Sequence, residues 1–170
     1  AQLELPVPAA KRGLEIARAA GVTTLFNPAP AAALPDDIYP LCDYVIPNET
    51  EARLLTGIPV DTLDDARKAG DALLAKGAGT ALITLGSRGA LLHTRGQSLM
   101  IDAVTAGKVL ETTGAGDSFV GAFATGLADG MTPVDAARFG CAAAGISVTR
   151  LGTAPSMPKR AEIEALLSRG

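Results

Sequence analysis

The sequence predicts an α/β domain whose sheet is largely parallel at first and partly antiparallel later. Short apolar runs alternate with helical patterns in the first half, a hairpin-like pair follows, and helices dominate the last third. A length of 170 residues with 48% hydrophobic residues suits one domain with a substantial core. The elements below are given in chain order.

The first third of the chain combines one helix with two short strands. Residues 8–20 have the spacing of an amphipathic helix, which Gly21 ends. Residues 22–26 form a strand, two prolines within residues 27–30 end it, and residues 44–46 form a second strand. The side chains of the first helix predicted to face a core are Leu14, Ile16, Ala17 and Ala20.

Two helices and a third strand come next. One helix begins at Asn48 or Thr50, either of which can cap free amides, and ends at Gly57. Residues 62–76 form another, because a threonine start is followed by acids and then by alanine and leucine at helical spacing. The strand of residues 81–85 follows.

A hairpin and three helices complete the chain. The strands of the hairpin are residues 90–94 and 98–104, with Gly96 at the bend. The first helix follows Gly114 and buries a phenylalanine stripe, with small residues that allow close packing, and the others cover residues 133–149 and 159–168.

Composition excludes several functional classes. A net charge of −3 and 4% aromatic residues give no footprint for nucleic acid. No apolar run is long enough to span a membrane, so we expect a soluble, cytoplasmic protein. Cys42 and Cys141 form no C-x-x-C pair and are expected to be buried free thiols, although one disulfide stays open. His93 is expected to be structural.

The run Glu111 to Asp117 is the most informative stretch. Gly114, Ala115 and Gly116 have almost no side-chain bulk, so backbone N–H groups at a helix start can point at a phosphate. A carboxylate at Asp117 repels phosphate, but it suits the deprotonation of a substrate hydroxyl during phosphoryl transfer. The alternative is that Asp117 simply caps the helix.

Three loops that each follow a strand can converge on one crevice in such a fold. Their residues, Asn48 to Glu51, Thr84 to Gly89 and Thr112 to Asp117, resemble the PfkB carbohydrate kinase family and its ribokinase-like members in particular. Asn27 to Pro30 strengthens this resemblance, which covers essentially the whole chain. It implies a ribokinase-like three-layer sandwich with a Rossmann-like central sheet.

The resemblance assigns catalytic and substrate roles. Asp117 would be the base that accepts the proton of a sugar's primary hydroxyl, and Gly114, Ala115 and Gly116 would form the anion hole. Asn48 and Glu51 would organise Mg²⁺ and phosphates through water, although plain helix capping explains them equally well. Glu4 would touch the sugar, or it is a solvated acid near a chain end. The residues matching the nucleotide-lining positions are Thr84, Gly86, Ser87, Arg88, Gly89 and Cys141.

The resemblance also implies a monovalent cation such as K⁺ beside the anion hole, held mainly by carbonyl oxygens. Glu111 stands where the family usually has Asp, so this site could be altered, weakened or absent. The matching positions are Glu111, Thr113, Ser147, Arg150, Gly152 and Ser156.

The implied activity is ATP-dependent phosphorylation of a sugar. The expected reaction is the conversion of D-ribose to D-ribose 5-phosphate. Other PfkB kinases, acting on fructose, a deoxy sugar or a nucleoside, and a non-catalytic nucleotide-binding or assembly module are the alternatives. We expect residues 1–170 to be the C-terminal nucleotide-binding and catalytic portion of such a kinase domain, without the N-terminal part and the β lid over the sugar. An exposed sheet edge would then allow a homodimer.

Overall fold

A five-stranded mixed sheet with helices confirms the predicted α/β class. The structure is a computed structural model, and it describes residues 1–169. In spatial order, which is also chain order, the strands are β1 (Leu25–Phe26), β2 (Tyr44–Val45), β3 (Thr80–Thr84), β4 (Ala90–His93) and β5 (Ser98–Ile101).

The first three strands are parallel, and the last two form a hairpin. Leu25 lies opposite Tyr44, and Tyr44 lies opposite Thr80. The loop between β4 and β5 is closed by a hydrogen bond from the Thr94 N–H to the Gln97 carbonyl (2.8 Å), and so short a connection requires antiparallel strands. The predicted change from parallel to antiparallel pairing is therefore confirmed.

Within residues 1–169 there are six α-helices, and each was predicted to within a few residues at both ends. They are α1 (Val7–Ala19), α2 (Glu49–Thr56), α3 (Leu63–Ala75), α4 (Ala115–Ala128), α5 (Pro133–Ser147) and α6 (Arg160–Leu167). The 3-10 helix Asp36–Leu41 was not predicted, because the prolines at its start and within it indicate only a loop.

The chain divides into two compact units. The first comprises Ala1–Leu85 and Leu91–Leu99, and the second comprises Gly86–Ala90 and Met100–Gly170. In the first unit α3 packs on β3 and α2 packs on α3. The β3 side chains Ala81, Leu82 and Ile83 are fully buried, which makes this strand the centre of the unit's core.

The orientation predicted for α1 was partly wrong. Leu14 is buried as expected, but Ile16 is 56% exposed and Ala20 is also exposed. The buried stripe runs through Ala10 and Leu14, four residues apart on one face, and α1 packs against the 3-10 helix Asp36–Leu41. Ile16 is two residues further along and therefore points away from that face.

In the second unit α4 and α5 approach closely through glycines, as their composition predicted. A Cβ on Gly126 would lie 3.0 Å from the Ala136 Cβ, and one on Gly140 would lie 2.9 Å from the Phe119 ring. The other side of α5 packs on α6. The buried cluster there consists of Phe139, Ala142, Ala143, Ile146 and Ile163.

Candidate functional site

The glycine turn begins α4 directly. Gly114 occupies the N-cap position in the left-handed conformation (φ +80°), which only glycine adopts without strain. Asp117 lies in the first turn of the helix and is exposed to solvent, as is Gly116. Because the capping position has no side chain, the amides at this helix start are not covered by a conventional side-chain cap.

One of the three expected amide donors is used inside the turn. The Ala115 N–H donates to the Thr112 carbonyl at 3.2 Å. Within residues 1–169, the Gly116 N–H donates to no backbone carbonyl. The turn therefore presents fewer amides to an anion than the sequence suggested, with that of Gly116 as a clear candidate.

The segment before the turn is fastened to the connection between α5 and α6. The Leu110 and Glu111 N–H groups both donate to the Val148 carbonyl, at 2.7 and 3.2 Å. The Glu111 Oε2 accepts the Gly152 N–H at 2.8 Å. That bond, with a further one from the Thr113 side chain, lowers the pKa of the Glu111 carboxyl. Glu111 therefore acts as an anchored anion in this structure.

The remaining positions suggested for a monovalent cation lie in the same unit. The Ser147 carbonyl accepts the Arg150 N–H at 3.1 Å, and the buried Ser156 hydroxyl donates to the Thr153 carbonyl at 2.7 Å. Each carbonyl keeps a second lone pair, so these oxygens could still hold a cation. Within residues 1–169 there is no cluster of three His, Cys, Asp or Glu side chains able to hold a metal ion.

In the first unit, Asn48 and Glu51 form a complete capping box at α2. The Asn48 Oδ1 accepts the Glu51 N–H at 2.9 Å, and the Glu51 Oε2 accepts the Asn48 N–H at 2.8 Å. The Asn48 side-chain amide also donates to the Glu51 Oε1 at 3.0 Å. Glu51 is 6% exposed, and burial raises the pKa of its carboxyl despite the capping bond.

The structure brings Thr84 next to this box. Thr84 pairs with Asn48 in a parallel β-bridge, and its N–H donates to the Pro47 carbonyl at 2.9 Å. Gly86, Ser87 and Arg88 form an exposed 3-10 turn that is counted with the second unit. Gly89, with φ of +104°, then passes so close to the backbone of residues 101–103 that no Cβ would fit.

The burial and contacts of Cys141, Glu4 and His93 complete the description of the candidate residues. Cys141 is buried in α5, where burial raises the pKa of its thiol to about 12, and Glu4 is exposed. His93 is 7% exposed, its Nε2 lies 2.9 Å from the Asp71 Oδ1, and its ring lies against Gly70. Both cysteines are free, as predicted.

One contact was not foreseen. The Arg150 guanidinium pairs with Glu162 of α6, whose other carboxylate oxygen accepts the Lys159 N–H at 2.8 Å. The spacing of charges along the sequence gives no signal for this pair, because Arg150 lies outside any helix.

In the described part of the chain no helix is both long and apolar enough to cross a membrane.

Comparison with known proteins gives a consistent family. Residues 1–160 match the model of the pfkB family of carbohydrate kinases. Ribokinase from Staphylococcus aureus is 43% identical over 164 residues, covering 96% of this chain and 54% of that protein. Deoxyribokinase from Salmonella typhi is 38% identical over 168 residues, covering 98% of this chain and 55% of that protein.

A solved structure has the same fold. Arabidopsis thaliana ribokinase, complexed with ribose and ATP, matches with a TM-score of 0.94 at 32% identity, over 98% of this chain and 54% of that one. The predicted ribokinase-like fold is thereby confirmed, and the chain spans about half the length of the relatives it matches. The chain belongs to the pfkB family of carbohydrate kinases.

Proposed function

We propose that the protein containing this chain is an ATP-dependent sugar kinase that transfers the γ-phosphoryl group to the primary hydroxyl of D-ribose. The products are ADP and D-ribose 5-phosphate. Residues 1–170 supply the nucleotide-binding and catalytic portion of the kinase domain. The ribokinase relative at 43% identity and the fold shared with a ribose and ATP complex support this choice of substrates.

The observation behind the proposal is the turn that begins α4. The Gly116 amide, which donates to no backbone carbonyl within residues 1–169, is followed directly by the exposed residue Asp117. Both lie at a helix start whose N-cap residue, Gly114, has no side chain to cap the amides. A pure anion site gains nothing from a neighbouring negative charge. A phosphoryl-transfer site needs both, because the amide stabilises the moving phosphoryl group while the acid takes the proton of the attacking hydroxyl.

Mg²⁺ is the metal that such a transfer requires, since it neutralises charge on the phosphate oxygens. Both Glu51 carboxylate oxygens already accept hydrogen bonds from Asn48. Asn48 and Glu51 therefore fit a role that orients a hydrated Mg²⁺ through water and leaves the capping box intact.

The remaining residue roles are part of the same proposal. Thr84, Gly86 to Gly89 and Cys141 line the nucleotide, and Glu4 contacts the sugar. A monovalent cation such as K⁺ would be held by backbone oxygens in the Glu111 and Ser147 to Ser156 segments, supporting the alignment of the turn.

The first test is the Asp117→Asn variant of the protein at its full natural length. We expect kcat to fall by about a thousandfold while the Kd for ATP changes little, because the amide form cannot accept the proton. Asp64→Asn is the matched control, since Asp64 is also an exposed acid in the first turn of a helix. Equal kcat in the two variants would disprove the role of Asp117.

A second candidate differs only in the sugar. Deoxyribokinase at 38% identity favours a deoxy sugar as the acceptor. Comparing kcat/KM for ribose, deoxyribose, fructose and a nucleoside decides between these acceptors. A non-catalytic nucleotide-binding module is the remaining alternative, and ATP binding by calorimetry with Mg²⁺, together with no turnover of any of the four acceptors, would support it.

A further inference from the structure

The pair of Arg150 and Glu162 joins α6 to the segment that contacts the turn before α4. We call residues 148–159, between α5 and α6, the α5–α6 connection. Glu162 makes two bonds to it: Oε1 pairs with the Arg150 guanidinium, and Oε2 accepts the Lys159 N–H at 2.8 Å. One carboxylate therefore holds the connection near both of its ends.

The connection in turn holds the approach to the turn. Its Gly152 N–H donates to the Glu111 Oε2 at 2.8 Å, and its Val148 carbonyl accepts the Leu110 N–H at 2.7 Å. It also packs directly on the turn, because a Cβ on Gly114 would lie 3.5 Å from the Thr153 Cα. Every contact in this series lies within the second unit.

The partly exposed pair contributes little to overall stability. The Arg150 and Glu162 side chains are 35% and 41% exposed, and ion pairs in such places are largely offset by solvation and side-chain entropy. Both contacts that Glu162 makes through its carboxylate go to the α5–α6 connection or its last residue. The effect of the pair should therefore be local.

We propose that Glu162 is a positioning residue for the phosphoryl-transfer turn. It holds Arg150, Arg150 fixes the α5–α6 connection, and the connection fixes Glu111 and Gly114, between which the chain enters the turn. This role rests on the proposed function for its kinetic consequence, but its structural consequence is measurable without it. Glu162 touches neither nucleotide nor sugar in this role.

The variant is Glu162→Gln, which keeps an acceptor for the Lys159 N–H and removes the charge that holds Arg150. Glu164→Gln is the matched control, because Glu164 is an acid of the same helix that pairs with Arg160 at the surface. In the full-length kinase we expect kcat to fall about tenfold in Glu162→Gln, with the KM for sugar within about twofold of wild type. The unfolding midpoint should match that of the control.

Hydrogen exchange measured by NMR supplies the readout that needs no activity. We expect the Gly152 and Leu110 amides to exchange about tenfold faster in Glu162→Gln than in Glu164→Gln, with amides of α3 unchanged.

The outcomes separate the two proposals. Unchanged exchange at Gly152 overturns the positioning role, as does a kcat equal to that of the control. A general loss of protection throughout the second unit also overturns it, because that result indicates ordinary destabilisation. If the full-length protein phosphorylates no sugar, the proposed function fails, and the exchange result still decides whether Glu162 positions the turn.

Discussion

At the scale of single residues, two helical glycines differ sharply in what surrounds them. Gly145 of α5 lies against the Val104 carbonyl, where an added Cβ would overlap the oxygen. Gly121 of α4 faces open space, with no atom within 4 Å of an added Cβ. Both are in helix interiors and neither has a positive φ, so backbone strain does not distinguish them.

We predict opposite effects for alanine at these two positions. Gly145→Ala should lower the free energy of unfolding by about 2 kcal/mol or more, because the Val104 backbone must shift. Gly121→Ala should raise it by about 0.5–1 kcal/mol, since alanine favours the helix and meets nothing. Urea denaturation of the two variants checks both values, and equal effects would contradict the packing described for Gly145.

Glu51 is a buried acid, so its ionisation should cost stability. Burial raises the pKa of its carboxyl in the folded chain above the unfolded value. The contribution of Glu51 to the free energy of unfolding is therefore fully present below the unfolded pKa of its carboxyl, and it is lost as pH rises through the folded pKa. We predict that wild type loses stability relative to Glu51→Gln as pH rises from about 4, the range of the unfolded pKa, through the raised folded pKa.

The measurement is the difference in unfolding free energy between wild type and Glu51→Gln across that range. Wild type and Glu51→Gln share all their other acids, so comparing the two proteins cancels the titration of those groups. A difference that stays constant with pH, or grows in favour of wild type as pH rises, would contradict the burial effect.

At the scale of elements, two capping boxes of the same kind lie in different surroundings. Asn48 caps α2 through a buried partner, Glu51, and Thr62 caps α3 through Asp65 at the surface. Removing either cap leaves helix amides to be satisfied by water. At α2 it also leaves the Glu51 carboxylate without the donor on the Asn48 side chain.

We predict that Asn48→Ala lowers the free energy of unfolding by about 2 kcal/mol and that Thr62→Ala lowers it by about 1 kcal/mol. Chemical denaturation of the two variants gives both numbers. If Thr62→Ala proves equal or worse, the partly buried bonds between Asn48 and Glu51 contribute less than their geometry indicates.

At the scale of the whole molecule, each compact unit contains one buried cysteine. Cys42 lies in the first unit and Cys141 in the second, and burial raises the pKa of each thiol to about 12. Thiolate is the reactive form, so reaction with a thiol reagent near neutral pH requires the surrounding unit to open.

We predict that the native chain reacts slowly with Ellman's reagent and that both thiols react at once in guanidinium chloride. The single variants Cys42→Ala and Cys141→Ala assign the rates, so they report separately on the opening of the two units. Immediate reaction of either thiol in the native protein would contradict its burial.

Local sequence determined the type and order of the helices and strands. The caps at Asn48 and Thr62, the glycines after helix ends and the hairpin bend at Gly96 all act between neighbours in the chain, so they are readable without a fold. The same is true of the turn at Gly114, where glycine and a following acid mark the candidate site. Family motifs, taken together, then indicated the ribokinase-like fold.

Only the tertiary structure decided which faces are buried and which distant groups meet. The 3-10 helix Asp36–Leu41 packs on α1 and selects Ala10 and Leu14 for burial, which leaves Ile16 exposed. Glu111 meets the Gly152 amide across 41 residues, and Arg150 meets Glu162 outside any helical spacing. Local patterns fix the conformation of neighbouring residues, whereas these contacts depend on how whole elements pack, which no short stretch of sequence contains.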